Sequence, residues 1–258
     1  MHSSSVMRGI SGRLLLGAAG IITFAVLWEV AGRMRLLGDS WPPLTEIWTT
    51  LSDPSNRTQF ERAVGATLEK AAFGYVIGTS AAIVFAAVAA LIQPIRRQML
   101  DLAAIVNAIP ILALGPLLIA LFPREVTPVA ISALTVFFTT VIATTAGIES
   151  AGPAHQDLAT TLGANRLRRF WRVEAPAALP SLLDGLKLAA PSAVLGALLG
   201  EWFGTERGLG QLLVVSMQNY RVDMLWSAGL LAAGIALIAY GMVSIVERSV
   251  SERFRMAI

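Results

Sequence analysis

The chain has no cysteine and only two histidines in 258 residues. No disulfide can form, no thiolate can hold a metal, and His2 and His155 are too few for an imidazole site. Charge is scarce too: Asp, Glu, Lys and Arg make up 14% of the chain, against about 25% in an average soluble domain. There is no G-x-x-x-x-G-K-[ST] phosphate loop, so the chain lacks the usual means of cradling ATP. H-E-x-x-H and G-x-S-x-G are also missing. Acids, histidines and nucleophiles do not gather at one depth, as a membrane-embedded enzyme requires. Nor are there the paired buried acids and inverted repeats of an ion-driven secondary transporter. No catalytic residue, metal or cofactor is expected.

What is abundant is apolar sequence, 55% of the chain. It falls in runs of about 20 residues, enough to cross a hydrocarbon core of about 30 Å at 1.5 Å per residue. Spans are predicted at 14–31, 67–91, 99–121, 126–148, 182–203 and 223–246. Each must be helical, because an unpaired backbone amide in lipid costs several kcal/mol. The expected fold class is all-α, a polytopic membrane protein of about six transmembrane helices in one domain over residues 1–258. The first run follows Arg8 and Arg13 as a signal peptide would. It is too long for an h-region and lacks a small-x-small site, so it reads as a retained span. Residues 34–62, with Pro42, Pro43, Asp53 and Pro54, read as a surface loop with a short interfacial helix near Leu44–Leu51. Trp41 and Trp48 suit the headgroup region there.

An even number of spans puts both termini on one side. Segments on that side hold Arg8, Arg13, Arg96, Arg97, four arginines within 166–172, Arg248, Arg253 and Arg255. The opposite side holds Arg33, Arg35, Arg57, Arg62, Lys70, Arg124, Arg207 and Arg221, mostly around one long loop. Over short connections the bias places the termini and the 149–181 segment in the cytoplasm. The net charge of +3 is then explained by residues flanking the spans, and no nucleic-acid surface is expected.

Helix breakers cluster in two spans: Asn107, Pro110, Gly115 and Pro116 in the third, Pro191, Gly196 and Gly200 in the fifth. Small residues let helices approach closely, and broken helices also border solute routes. Asn107, Pro110, Pro116, Thr139, Ser192 and Glu201 are the candidate path residues. Other readings stand beside this one. Thr135, Thr139, Thr140, Thr144 and Thr145 can bond back to their own helix. Glu201, near the outer end of its span, is either an interfacial cap or a gating acid. Asp184 and Lys187, at i, i+3 spacing, are expected to pair at the cytoplasmic mouth.

The most telling stretch is basic. Burying Arg166, Arg168, Arg169 and Arg172 at a bilayer centre would cost on the order of 10 kcal/mol, so this segment lies outside the lipid. Residues 156–162 suit two helical turns, with Asp157 in the first. Gly163 suits a left-handed stop. Asn165 can cap a second helix from Arg166 to about Val173, and Pro176 is expected to end it. Leu158 and Leu162 share one face, while Leu167, Phe170 and Trp171 give the second helix an apolar surface. Membrane lipid headgroups account for the arginines but not for the Gly turn or the apolar faces.

This segment resembles the cytoplasmic signature loop of ABC-importer permeases, roughly E-A-A, three residues, G, about nine residues, then I/V-x-L-P. Here Asp157-Leu158-Ala159, Gly163-Ala164 and Val173-Glu174-Ala175-Pro176 stand in that order. Asp replaces Glu, Leu158 replaces the first Ala, and Ala175 replaces the usual Leu. Pro42-Pro43-Leu44-Thr45-Glu46 resembles the family's external P-S-P-x-E/D. Asn107 to Pro110 with Gly115-Pro116-Leu117 resembles its third-span motif, and Phe137-Phe138 ahead of Thr145-Ala146-Gly147 is similar to its F-F-P segment, with Thr139 in place of Pro. Glu201-Trp202-Phe203-Gly204 followed by Gly208-Leu209-Gly210 resembles the E-x-x-G…G-L-G of the nitrate/sulfonate/taurine branch.

The resemblance implies a type I ABC importer permease fold working by alternating access in a bacterial inner membrane. It implies two cytoplasmic ATPase subunits, a second permease copy forming a homodimer and an extracytoplasmic substrate-binding protein. Hydrolysis would belong to the ATPases. Asp157, Leu158, Ala159, Leu162, Gly163, Ala164, Arg166, Phe170 and Pro176 would be the coupling residues. The branch points to a sulfonate-, taurine- or nitrate-like anion as cargo, with a vitamin or pyrimidine precursor as the alternative.

Overall fold

The computed structural model describes residues 3–255. These form α1 (Ser3–Arg33), α2 (Leu44–Ser52), α3 (Pro54–Leu91), α4 (Gln93–Asn107), α5 (Ile111–Leu121), α6 (Thr127–Glu149), α7 (Pro153–Thr161) and α8 (Arg166–Arg169). A π-helical turn, Phe170–Glu174, then leads into α9 (Ala175–Glu201), followed by α10 (Leu209–Gln218) and α11 (Val222–Arg255). Five helical stretches are long and apolar enough to cross a membrane, and the α4–α5 pair makes a sixth if counted as one broken span. The all-α, multi-span expectation holds.

Several boundaries differ from the sequence reading. Residues 54–62 are the start of α3 rather than loop, because the Asp53 carboxylate accepts from the Ser55 amide and Pro54 occupies the first turn. That amide holds the exposed Asp53 carboxyl below its usual range. The third span is two helices bent by 93°. Pro110 stands at the break, where it offers no amide and disfavours helical backbone before it. Pro116 sits inside α5 without ending it. The fifth span was expected to break at Pro191, yet α9 runs unbroken through Pro180 and Pro191. Donors from neighbouring helices meet its carbonyls: Ser132 Oγ donates to Ala193 O at 2.9 Å, Thr135 Oγ1 to Ser192 O at 3.1 Å and Tyr75 Oη to Leu186 O at 3.0 Å. The short apolar α10 was not anticipated.

The bundle is built on α6, packed between α3 and α9. Close approach requires small residues, since a Cβ on Gly196 would lie 2.6 Å from Ser132 Cα. Of the five threonines named above, Thr135, Thr139, Thr144 and Thr145 bond back to their own helix as expected, Thr139 to Thr135 O at 3.0 Å and Thr144 to Thr140 O at 2.7 Å. Buried Thr140 Oγ1 finds no partner. α1 is held at its C-terminal end, where Trp28, Trp41 and Trp226 pack ring on ring at 4.5–5.0 Å. Trp41 is thus part of an aromatic anchor, whereas Trp48 is 70% exposed.

Candidate functional site

The segment expected to face the cytoplasm is built from two short helices, α7 and α8. α7 begins at Pro153, so Asp157 lies in its second turn rather than the first. Gly163 adopts φ +75°, with its amide donating to Thr160 O at 2.9 Å and the Ala164 amide reaching Ala159 O at 3.0 Å. That pair of bonds is a Schellman stop, and it ends α7 where the sequence indicated. Asn165 caps α8, its Oδ1 accepting from the Arg168 amide at 2.9 Å. Pro176 does not end this helix. The chain widens into the π-turn, with the Ala175 amide bonding back to Phe170 O, and Pro176 falls in the first turn of α9. A missing amide costs little there.

The predicted coupling residues divide between two sides. Leu158 (59% exposed) and Leu162 (78%) project outward, as do Leu167 and Trp171. With His155 and Arg172, Leu158 and Leu162 line a groove of about 460 Å³. Ala159 and Ala164 are half-buried beside them, and Asp157 and Pro176 are exposed. Phe170 instead turns inward and packs with Ala86, Ala90, Ile148 and Ala178. Arg166 also turns inward: its Nη1 lies 3.2 Å from Glu174 Oε1, and its Nη2 donates to Ala90 O. Arg169 Nε meets the same oxygen at 3.2 Å. The basic run is therefore two inward and two outward arginines, since Arg168 and Arg172 are exposed.

The predicted path residues do not converge. Asn107, Pro110 and Pro116 are exposed on the α4–α5 arm. Thr139 and Ser192 are half-buried on α6 and α9, each bonded to its own helix. Glu201 is wholly buried. Its carboxylate receives Thr67 Oγ1 at 3.0 Å, Lys70 Nζ at 3.0 Å and the Gly210 amide at 2.8 Å. This knot joins α3, α9 and α10 and closes Glu201 off from any open surface. Lys70 and Thr67 escaped the sequence reading because their link to Glu201 spans more than 130 positions. The Gly208-Leu209-Gly210 turn was noticed, and its reason is now clear: a Cβ on Gly208 would collide with the Glu201 carboxylate. Asp184 and Lys187 pair as expected, at 2.8 Å, and Glu247 of α11 joins them at 3.0 Å.

The described residues form a many-span helical bundle with a folded two-helix segment, or handle, between α6 and α9. The chain belongs to the family of binding-protein-dependent transport system inner membrane components, which it matches over residues 74–252. It is 31% identical to a probable ABC transporter permease protein of Haemophilus influenzae over 67% of this chain and 71% of that one. It is 30% identical to the formylaminopyrimidine transport permease protein ThiX of Halalkalibacterium halodurans, over 72% and 74%. The putative aliphatic sulfonates transport permease protein SsuC of Bacillus subtilis is 24% identical over 86% and 81%. Among solved structures, an amino acid ABC transporter superposes with a TM-score of 0.64 at 19% identity, covering 77% of this chain and 97% of that one. That likeness supports the type I importer permease fold.

Proposed function

We propose that this chain forms the solute path of an ATP-driven importer, that a cytoplasmic ATPase grips it at residues 153–176, and that its cargo is an uncharged heterocycle of the vitamin-precursor kind. The grip rests on one observation above all: Leu158 and Leu162 stand exposed on a helix fixed by a Schellman stop and a capped second helix. Apolar side chains fixed on a rigid support outside the lipid make a protein-docking surface. In this reading both termini face the cytoplasm, two copies of the chain enclose the path, and an external binding protein delivers the solute. The family's dependence on a binding protein supports that last partner.

Of the two cargo classes the resemblance implies, a sulfonate-like anion and a vitamin or pyrimidine precursor, we favour the second for an electrostatic reason. Within the described bundle, Lys187 is held by Asp184 and Glu247, and Lys70 by Glu201. Neither of the chain's two lysines is left over to compensate an anion leaving water, which is a costly transfer. The formylaminopyrimidine relative, at 30% identity, points the same way.

Two measurements test this reading. In proteoliposomes holding the permease with its ATPase and binding protein, a labelled aminopyrimidine is expected to enter on ATP addition, and taurine to compete poorly. Preferred uptake of taurine would overturn the cargo assignment. Gly163→Pro should abolish uptake while leaving membrane insertion intact, because proline can adopt neither φ +75° nor the Thr160 hydrogen bond. Normal uptake by that variant would remove the handle from the mechanism.

A further inference from the structure

Glu174 is a carboxylate with almost no exposure, 2%, placed where the handle meets the bundle. Two guanidinium groups converge on its Oε1: Arg166 from the start of α8 and Arg169 from its end, each at 3.2 Å. Arg166 continues past it to the carbonyl of Ala90, at the cytoplasmic end of α3. Arg169 Nη1 reaches back to Thr160 Oγ1 on α7 at 3.3 Å. Through one carboxylate, the cluster therefore touches α7, α8, α3 and the foot of α9. It sits on the π-turn, a wider backbone ring that interrupts an otherwise continuous helical stretch and is often found at functional sites. The bonding is also incomplete. Glu174 Oε2 and Arg166 Nε are both buried without a partner. A spare acceptor and a spare donor on two side chains already in contact allow a second arrangement, in which Arg166 holds the carboxylate through both its oxygens. Buried groups left half-satisfied are costly in one geometry and gain by moving to another.

We infer that Glu174, clasped by Arg166 and Arg169, is the positioning residue that passes movement of the α7–α8 handle to α3 and α9. This rests on the handle being the ATPase grip proposed above. A slack connection would let the handle follow the ATPase while the spans stayed still. The clasp prevents this, because α8 cannot shift without drawing on both the foot of α9 and the end of α3. Phe170, packed with Ala86, Ala90, Ile148 and Ala178, gives the same junction an apolar base.

The test uses the permease purified with its own ATPase and placed in lipid nanodiscs. Because the chain has no cysteine, Ser192→Cys gives a single thiol on α9 whose labelling rate by a maleimide is read with and without ATP and vanadate. With Glu174 intact, the rate is expected to change on ATP addition. Glu174→Gln is expected to shrink that change by about tenfold, the scale of an ordinary coupling between sites, while ATPase co-purification and hydrolysis persist. Glu174→Asp should restore it in part. Arg166→Gln provides a second variant should the first fail to fold, with the same uncoupling expected. A full ATP response in Glu174→Gln or Arg166→Gln would overturn the inference. So would parallel loss of hydrolysis, co-purification and response, which would mark the clasp as structural only. If the parent protein itself binds no ATPase, the grip reading falls first, and that failure is recognisable before any variant is made.

Discussion

Glu201 carries no exposed surface, and every direction around its carboxylate is used: Lys70 and Thr67 from α3, the Gly210 amide from α10, and the bare face of Gly208. Removing one member of such a buried pair leaves the other charge unpaired, whereas replacing both with apolar groups is far less costly. Glu201→Ala should therefore destabilise the protein by about 3–5 kcal/mol. Lys70→Met combined with Glu201→Leu should recover much of that loss. Thermal unfolding in detergent measures both, and a double variant as unstable as the single would count against a charge-pair role. Gly208→Ala should behave like the single variant, since φ +141° and the adjoining carboxylate leave no room for a methyl group.

At the scale of elements, the handle and the α6–α9 pair make opposite demands on glycine. Gly163 has open space around it and is needed only for its positive φ. Asparagine also tolerates that region, so Gly163→Asn should keep uptake close to normal where Gly163→Pro abolishes it. Gly196 has ordinary helical backbone and is needed for its lack of bulk against Ser132 and Thr135. Gly196→Leu should destabilise by at least about 1–3 kcal/mol, the usual range for overpacking. Gly20→Leu on α1, where an added Cβ would meet nothing within 4 Å, should be close to neutral in the same detergent melt. The α4–α5 bend belongs to this scale as well. Pro110 marks it in the sequence, whereas Pro116 and Pro191, the same residue type, leave their helices running on. The difference lies in what surrounds each proline, which no local pattern records.

For the whole molecule, sidedness is the testable property. Asp53, at the start of α3, and Glu206, between α9 and α10, are at the end of the bundle opposite Thr160 on α7. Introduced singly into this cysteine-free chain, Asp53→Cys and Glu206→Cys should react with a membrane-impermeant maleimide in intact cells. Thr160→Cys should react only after permeabilisation. The reverse pattern would invert the topology and end the ATPase grip with it.

The apolar runs alone dictate helices and their approximate number, because a segment of about 20 apolar residues satisfies its own backbone in lipid as a helix. The charge run dictates that residues 166–172 stay out of the lipid, and Gly163 with Asn165 dictates the turn between α7 and α8. These are local constraints, each legible within a few residues. What the fold alone decided is which polar groups become partners: Lys70 with Glu201, Arg166 with Glu174, and Ser132 with a carbonyl of α9. It also decided that two of four neighbouring arginines turn inward while two remain outside. A charge in a bilayer protein must find its complement or water, and the nearest complement in space is seldom nearest along the chain.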